Sequence, residues 1–358
     1  MNVLVTGGAG FIGSNFVRCL LGKHKDVRVV NFDKLTYAGN LDSLSDLAAD
    51  ERYTFVRGDI ADARLVDGLL GEHKIDGIVN FAAESHVDRS ILEPEVFVTT
   101  NVLGTQNLLF LARQHNVPRF LQVSTDEVYG SLGPTGKFTE DTPVAPNSPY
   151  SAAKAAADFL CRAYFKTFDF PVIVTRCSNN YGPFQFPEKL VPLMIIRAIA
   201  EEELPVYGDG KHVRDWIYVV DHCEALDLIF REGTPGEIYN IGGDCERQNI
   251  DVVREILRIL QKPESLIRFV KDRPGHDRRY AMDITKLRTE LHWHPTTDFD
   301  EGLRRTVQWY LDNRQWWEKV ITGEYLEMYD RIYGPSTGSE PREESKGSEP
   351  RAESRGGK

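Results

Sequence analysis

No stretch of the sequence approaches the roughly 18 consecutive apolar residues of a membrane-spanning helix, so no membrane partner is expected. The N-terminus shows no basic, apolar, small-residue leader and runs straight into a strand and a glycine turn, which makes a cytoplasmic enzyme the expectation. Cysteine is sparse: Cys19, Cys161, Cys177, Cys223 and Cys245 are odd in number and form no CxxC pair, so neither a disulfide framework nor a zinc site is suggested. His292 and His294 make an HxH with no further ligand at suitable spacing, and no metal is expected. Positive charge is also short, with 43 Lys and Arg against 54 Asp and Glu; the net charge of −11 argues against nucleic acid as a partner. An anionic substrate would have to be met by a local cluster of Arg and Lys.

What is present begins with glycine. Met1 to Thr6 is a short apolar strand, followed at once by Gly7, Gly8, Ala9, Gly10, Phe11, Ile12 and Gly13, and then by helical periodicity from Phe11 to Leu21. Both GxGxxG and GxxGxxG are satisfied. In this strand, turn and helix arrangement the missing Cβ atoms let a backbone approach a pyrophosphate resting on the helix N-terminus. A second strand, Val27 to Phe32, ends at Asp33, where a carboxylate can bond an adenosine ribose diol and repel a 2′-phosphate. NAD is favoured over NADP, although Lys34 follows directly.

Strands and helices then alternate as in a doubly wound parallel α/β sheet of Rossmann type. Tyr53 to Arg57 is a strand leading to Asp59 and Ile60; Ala63 to His73 is a helix; Gly77 to Phe81 is a strand leading to Ala82, Ala83, Glu84, Ser85 and His86, the last read as structural. Phe120, Leu121 and Val123 form another buried strand, which places Thr125, Asp126 and Glu127 just past its carboxyl end, where such sheets keep their sites. Tyr150 and Lys154, spaced i, i+4 on an Ala-rich helix, share one face. A nearby ammonium and a positive nicotinamide ring would favour phenolate; bringing a Tyr pKa from about 10 to near 7 takes roughly 4 kcal/mol. The helices 95–115 and 150–168 are apolar on more than one side, which suggests pairing with the same helices of a second subunit in a homodimer.

Residues 1–180 are thus read as the nucleotide-binding domain, with a return near 219–231. Residues 181–333 read mainly as a smaller α/β substrate lobe, with short strands at Pro205–Tyr207, Val213–Tyr218, Ile238–Ile241 and Leu266–Val270. Lys189, Arg214, Asn249, Arg273, His276, Arg278 and Arg279 recur in its loops and suggest a diphosphate pocket. Residues 334–358, with GSEPREES echoed by GSEPRAES, lack apolar residues to bury and read as a disordered tail.

From Met1 to about Tyr333 the sequence resembles the extended short-chain dehydrogenase/reductase family, and within it the nucleotide-sugar 4,6-dehydratases. The resemblance is carried by TGGAGFIGS, DKLTYAGN, AAESHVDRSI, STDEVYG, YSAAK, SNNYGPFQFPEKL, RDWIYVVDH and DRPGHDRRYAMD. The adjacent acids Asp126 and Glu127 separate it from sugar-nucleotide 4-epimerases and decarboxylases, which usually lack them.

The resemblance implies conversion of dTDP-glucose to its 4-keto-6-deoxy form through oxidation at C4, loss of water across C5 and C6, and return of the hydride to C6. It implies Tyr150 as the C4 base, Thr125 holding the oxygen, Lys154 holding Tyr150 and the nicotinamide ribose, Glu127 taking the C5 proton and Asp126 protonating the leaving hydroxyl. Cofactor contacts are implied at Gly7, Gly10, Phe11, Ile12, Gly13, Asp33, Lys34, Leu35, Thr36, Asp59, Ile60, Phe81, Ala82, Ala83, Glu84, Ser85, Thr100, Tyr150, Lys154 and Asn180. Nucleotide-sugar contacts are implied at Ser85, Thr125, Asn179, Lys189, Leu190, Pro205, Val206, Tyr207, Arg214, Asn249, Asp272, Arg273, Pro274, Gly275 and His276. A UDP-glucose 4,6-dehydratase, a UDP-sugar 4-epimerase or a decarboxylase are the alternatives, with a catalytically silent dinucleotide sensor behind them. Thymine against uracil is a matter of one methyl group, worth about 1 to 3 kcal/mol, and depends on pocket shape more than on motif.

Overall fold

The computed structural model describes residues 1–321. The tail read at 334–358, and the last residues of the lobe, lie outside them. Seven parallel strands make the main sheet, and they are β1 (Asn2–Thr6), β2 (Arg28–Asp33), β3 (Tyr53–Arg57), β4 (Gly77–Asn80), β5 (Phe120–Thr125), β6 (Val172–Cys177) and a later strand, Ile238–Ile241. Their spatial order is β3-β2-β1-β4-β5-β6 followed by Ile238–Ile241, so the winding reverses between β1 and β4. That reversal opens a crevice at the carboxyl ends of the strands. Runs such as Val3, Leu4 and Val5 are buried throughout because helices cover both faces of the sheet.

Local chemistry sets the helix starts. Asp62 accepts from Leu65 N at the head of Ala63–His73, and Ser148 forms a capping box with Ser151 at the head of Pro149–Phe168, with Pro149 in the first turn. The long helix read at 95–115 is continuous only in part. It comprises Pro94–Phe97, a π-helical stretch Val98–Gly104, and Thr105–Gln114. The wide turns deliver Asn101 to the loop after β4, where its side chain accepts from Glu84 N at 2.8 Å and donates to Glu84 O at 3.0 Å. A hydrophobic pattern of helical period carries no mark of such a local widening.

The remaining strands are small. Asn179–Tyr181 (β7), Val213–Tyr218 (β9) and Glu246–Gln248 (β11) form one sheet; Leu204–Tyr207 (β8) pairs in parallel with Ile267–Val270 (β12). They pack with the helices Leu190–Ile199, Asn249–Leu260 and Phe299–Asp312 around a second core that includes Tyr181, Met194, Val253, Leu303 and Tyr310.

Ile238–Ile241 (β10) corrects the sequence expectation: it pairs with β6 in the main sheet and is not a strand of the lobe. The return to the first domain therefore extends past 219–231. The helix Val219–Glu232 lies on the first helix, Phe11–Lys23, through the Lys23–Glu224 ion pair at 3.1 Å, and Met282, Ile284, Leu287 and Trp293 join the main core. A four-residue strand has too little pattern to say which sheet it enters.

Asp221, in that returning helix, holds the two halves in register. Its carboxylate accepts from the backbone N–H and the hydroxyl of both Thr296 and Thr297, at 2.8 to 3.2 Å. Replacing Asp221 with Ala frees four donors, two on the exposed Thr296 and two on the half-buried Thr297, and with water able to reach several of them is expected to cost about 1 to 3 kcal/mol. Urea unfolding should show the midpoint lowered; an unchanged midpoint would count against the clamp.

Candidate active site

The glycine turn sits where the strand order reverses. Gly7 has φ +68°, and a Cβ there would stand 2.7 Å from Ala82 N; a Cβ on Gly13 would stand 2.3 Å from Gly7 O. Only glycine lets β1, the turn and the first helix approach this closely. Asp33, at the end of β2, accepts from Ala9 N at 2.9 Å and from Leu35 N at 2.8 Å, which leaves lone pairs on both oxygens facing the crevice. Lys34 is held by Asp59 at 2.7 Å. This cradle of exposed backbone and a carboxylate fits a dinucleotide.

One continuous cavity runs from this cradle to the carboxyl ends of β5 and β6. It brings together Gly7, Gly10, Phe11, Ile12, Gly13, Asp33, Lys34, Thr36, Asp59, Ile60, residues 81–85, Thr100, Tyr150, Lys154 and Asn180, and with them Thr125, Asp126, Glu127, Asn179 and Lys189. Leu35 does not line it; that residue has φ +56°, and its backbone N–H serves Asp33.

At the inner end, Thr125 closes β5 and caps the short turn Asp126–Tyr129. Its Oγ accepts from Glu127 N at 3.3 Å, donates to Asp126 Oδ1 at 3.2 Å and is a hydrogen-bonding neighbour of the Tyr150 phenol. Asp126 Oδ2 is buried and finds no partner among the described residues. The two adjacent carboxyls differ in environment. Asp126 is raised well above the usual carboxylate range by burial and then by the charge of Glu127. Glu127 is raised by burial too, but Arg273, Lys189 and Arg214 pull it back. The pair is thus biased toward one protonated acid, Asp126, and one ionised base, Glu127.

Tyr150 and Lys154 lie on one face of the helix Pro149–Phe168, as their spacing requires, and both are buried. Burial and then Glu127 push the phenol well above its ordinary value. The Lys154 ammonium is lowered by burial and donates to Val123 O at 2.5 Å. Contrary to the sequence expectation, Lys154 is not among the main charges acting on the phenol in this structure; its nearest bond is to the strand backbone.

The second lobe supplies the basic wall. Lys189 donates to Ser85 O at 2.8 Å, Arg273 pairs with Asp88 at 3.4 Å, the Tyr207 hydroxyl donates to Asp88 at 3.2 Å, and Arg214 lies 4.3 Å over the Tyr280 ring while donating to Asp277 O. Asn179 Oδ1 and Asn249 Oδ1 are buried and find no hydrogen-bond partner among the described residues, as polar atoms that face a ligand would. Val206 packs into the second core, Pro205 is buried in β8 and Leu190 opens a helix against that core, so only their backbones are free to face the cleft. Pro274 and Gly275 are exposed at a turn. Arg278 and Arg279 do not join this wall: they pair with Asp209 and Glu246 outside it.

Asp272 bridges two stacked imidazoles, accepting from His276 at 2.6 Å and lying 3.3 Å from His212. The three groups are close enough to hold a metal, but the Arg273 and Arg214 guanidiniums near His276 disfavour a cation there. His86 is structural, as read: its Nδ1 caps Val87–Leu92 and burial pushes it to about 3.

Sequence reasoning missed Glu188. It lines the cavity, buried, with its carboxyl raised by burial, 3.4 Å from the Tyr37 hydroxyl and 3.6 Å from both His86 and Lys189. The only signal was its place inside SNNYGPFQFPEKL, since an acid beside a lysine in a loop reads as solvated.

Comparison with known proteins agrees with this geometry. Residues 4–306 match the family model described as GDP-mannose 4,6 dehydratase. The dTDP-glucose 4,6-dehydratase of Xanthomonas campestris pv. campestris (strain B100) is 56% identical over 340 residues, covering 90% of this chain and 96% of the relative. The dTDP-glucose 4,6-dehydratase of Streptomyces venezuelae, solved with NAD bound, superposes with a TM-score of 0.87 at 50% identity, covering 89% of this chain and 100% of that one. That of Bacillus anthracis, also in complex with NAD, gives 0.85 at 50% identity, covering 89% and 99%. With the glycine cradle, the paired acids and the buried Tyr150 and Lys154 in one cleft, the chain belongs to the dTDP-glucose 4,6-dehydratase family, within the extended short-chain dehydrogenases/reductases.

Proposed function

We infer that this protein is an NAD-dependent lyase that converts dTDP-glucose to dTDP-4-keto-6-deoxyglucose and water, in deoxysugar biosynthesis. One observation carries this most directly: two neighbouring carboxyls with unlike environments stand beside a buried Tyr and Lys at the end of a dinucleotide crevice. Oxidation and reduction alone would need no such acid and base. When bound, NAD accepts hydride from C4 and later donates it to C6.

The protein's own groups move the protons. Tyr150 takes the proton of the 4-hydroxyl. Because burial and Glu127 hold its phenol up, phenolate would be favoured chiefly by the positive ring of a bound oxidised nicotinamide, with the Lys154 ammonium, bonded to Val123 O, as a more remote cation on the same helix face. Thr125 fixes the oxygen that becomes the ketone. The C5 hydrogen is then adjacent to a carbonyl and acidic enough for Glu127 to remove, while Asp126 protonates the departing 6-hydroxyl. Glu127 finally returns its proton to C5. Each positioned transfer is typically worth about 10² to 10⁴ in rate.

For the nucleotide, Arg214, Arg273 and Lys189 suit a diphosphate by charge-assisted hydrogen bonds, and the Tyr207 ring suits stacking on the base. A 4-epimerase or decarboxylase would use Tyr150 and Lys154 but leave Asp126 and Glu127 idle. UDP-glucose remains the competing substrate for the same chemistry. A homodimer is also proposed: Val98, Leu103 and Phe110 on the helices of 94–114, and Phe159 and Phe168 on Pro149–Phe168, are exposed, a row of large apolar side chains that a second copy would cover. The five unpaired thiols suit the reducing cytoplasm. Among the described residues, no helix is long and apolar enough to cross a membrane.

Incubation with dTDP-glucose should yield a 4-keto sugar, detected by its ultraviolet absorbance in alkali, with lower kcat/KM on UDP-glucose and CDP-glucose. No keto sugar from any of the three would overturn the assignment. Glu127→Gln should still oxidise C4, seen as NADH absorbance, yet lose entry of solvent deuterium at C5; normal exchange would remove Glu127 as the base. The raised pKa of Asp126 means its acid form survives well above the usual carboxylate range and is lost as pH rises through the folded value. Turnover limited by this acid therefore falls on the alkaline side, and Asp126→Asn should lower kcat by about 10² or more, as loss of a general acid does.

A further inference from the structure

Burial works against the charge on Lys154. Its ammonium is enclosed between the helix Pro149–Phe168 and the ends of β5 and β6, with the Val123 carbonyl as its hydrogen-bond acceptor. A carbonyl is a partial charge, and it does not replace the hydration of an ammonium. One turn along the same helix face, at i+4, stands Asp158, 3% exposed. Asp158 is fixed in turn by Arg176 of β6, whose Nε donates to Oδ2 at 2.9 Å, and the Arg176 guanidinium lies 4.7 Å over the Tyr129 ring. The Ser124 hydroxyl at the end of β5 is a further hydrogen-bonding neighbour of the Asp158 carboxyl. None of these groups has a part in the proton transfers described above.

We propose that Asp158, held by Arg176, is a positioning residue for Lys154: it supplies the one ionised counter-charge that keeps the ammonium protonated inside the closed cleft. After Asp158, the groups that bear most on Lys154 are two thiols, Cys177 from β6 and Cys161 from its own helix, while Tyr150 stands one turn earlier on the same face. Burial pushes both thiols up, Cys177 to about 12, so neither carries charge at neutral pH. Asp158 itself is raised by burial and drawn back by Arg176, with which it forms a buried ion pair at 2.9 Å. The sequence therefore places Tyr150, Lys154 and Asp158 at i, i+4 and i+8, on one helix face over about two turns. This inference rests on the role given to Lys154 above.

The test is a pH titration of the Lys154 Nζ signal by nuclear magnetic resonance in the full chain with isotope-labelled lysine, assigned through Lys154→Arg. Asp158→Asn should lower the Lys154 midpoint by about one pH unit, a tenfold loss of proton affinity, and Asp158→Glu should restore most of it. Since Asp158→Asn alone leaves the buried Arg176 without its carboxylate, the same titration is run on Asp158→Asn combined with Arg176→Gln, in which both charges are gone. A folded double variant with an unmoved midpoint would overturn the proposal, and so would a double variant that fails to fold, because the pair would then serve the fold. With dTDP-glucose, the turnover deficit of Asp158→Asn should deepen as pH rises; a deficit equal at every pH marks a structural role and counts against it. The titration needs no substrate, so wild-type protein inactive on dTDP-glucose would sink the assigned reaction and leave the Lys154 result standing.

Discussion

Removal of water from the carboxyl end of β5 is the constraint on which the rest of the site depends. In bulk solvent Asp126, Glu127, Tyr150 and Lys154 would titrate in the ordinary way, and at neutral pH both carboxyls would be ionised. Burial penalises charge on all four, and the polarity of what remains nearby then decides which of them carries it. Glu127 has three cations from the second lobe to draw it back, which suits the base of the proposed reaction, while Asp126 has chiefly Glu127, which suits the proposed acid.

That division explains why the lobe and the dinucleotide domain are locked together. The cations that act on Glu127 come from beyond residue 185: Lys189 ahead of a helix, Arg214 on β9 and Arg273 in the loop after β12. Their placement relies on the Asp221 clamp, on β10 entering the main sheet and on the Asp88 carboxylate that gathers Arg273 and Tyr207. In the proposed reaction the charge that suits an anionic diphosphate would also tune the base, and filling the pocket would weaken the pull on Glu127 at the moment it must accept a proton, so that substrate binding and basicity would be coupled through the same three side chains.

Much of this was legible before the chain was folded. The glycine turn after β1, the acid at the end of β2, the i, i+4 pair of Tyr150 and Lys154, and the acids after β5 are short-range features whose spacing is fixed by strand and helix geometry. The Arg, Lys and amide cluster was legible as a set, though two of its members, Arg278 and Arg279, turned to surface acids instead. Glu188, the π-helical stretch and the sheet that β10 enters were not legible, because each depends on which distant segment packs against a short and unremarkable one.

The sequence by itself determined a doubly wound nucleotide fold, the site at the end of β5 and the chemical types gathered there, since hydrophobic period and residue spacing are properties of the chain alone. Only the tertiary structure decided the protonation of those groups: which acid keeps its proton, where the Lys154 ammonium finds its acceptor, and which arginines face the cleft. Charge states depend on burial and on neighbours distant in sequence, and neither exists until the chain has closed on itself.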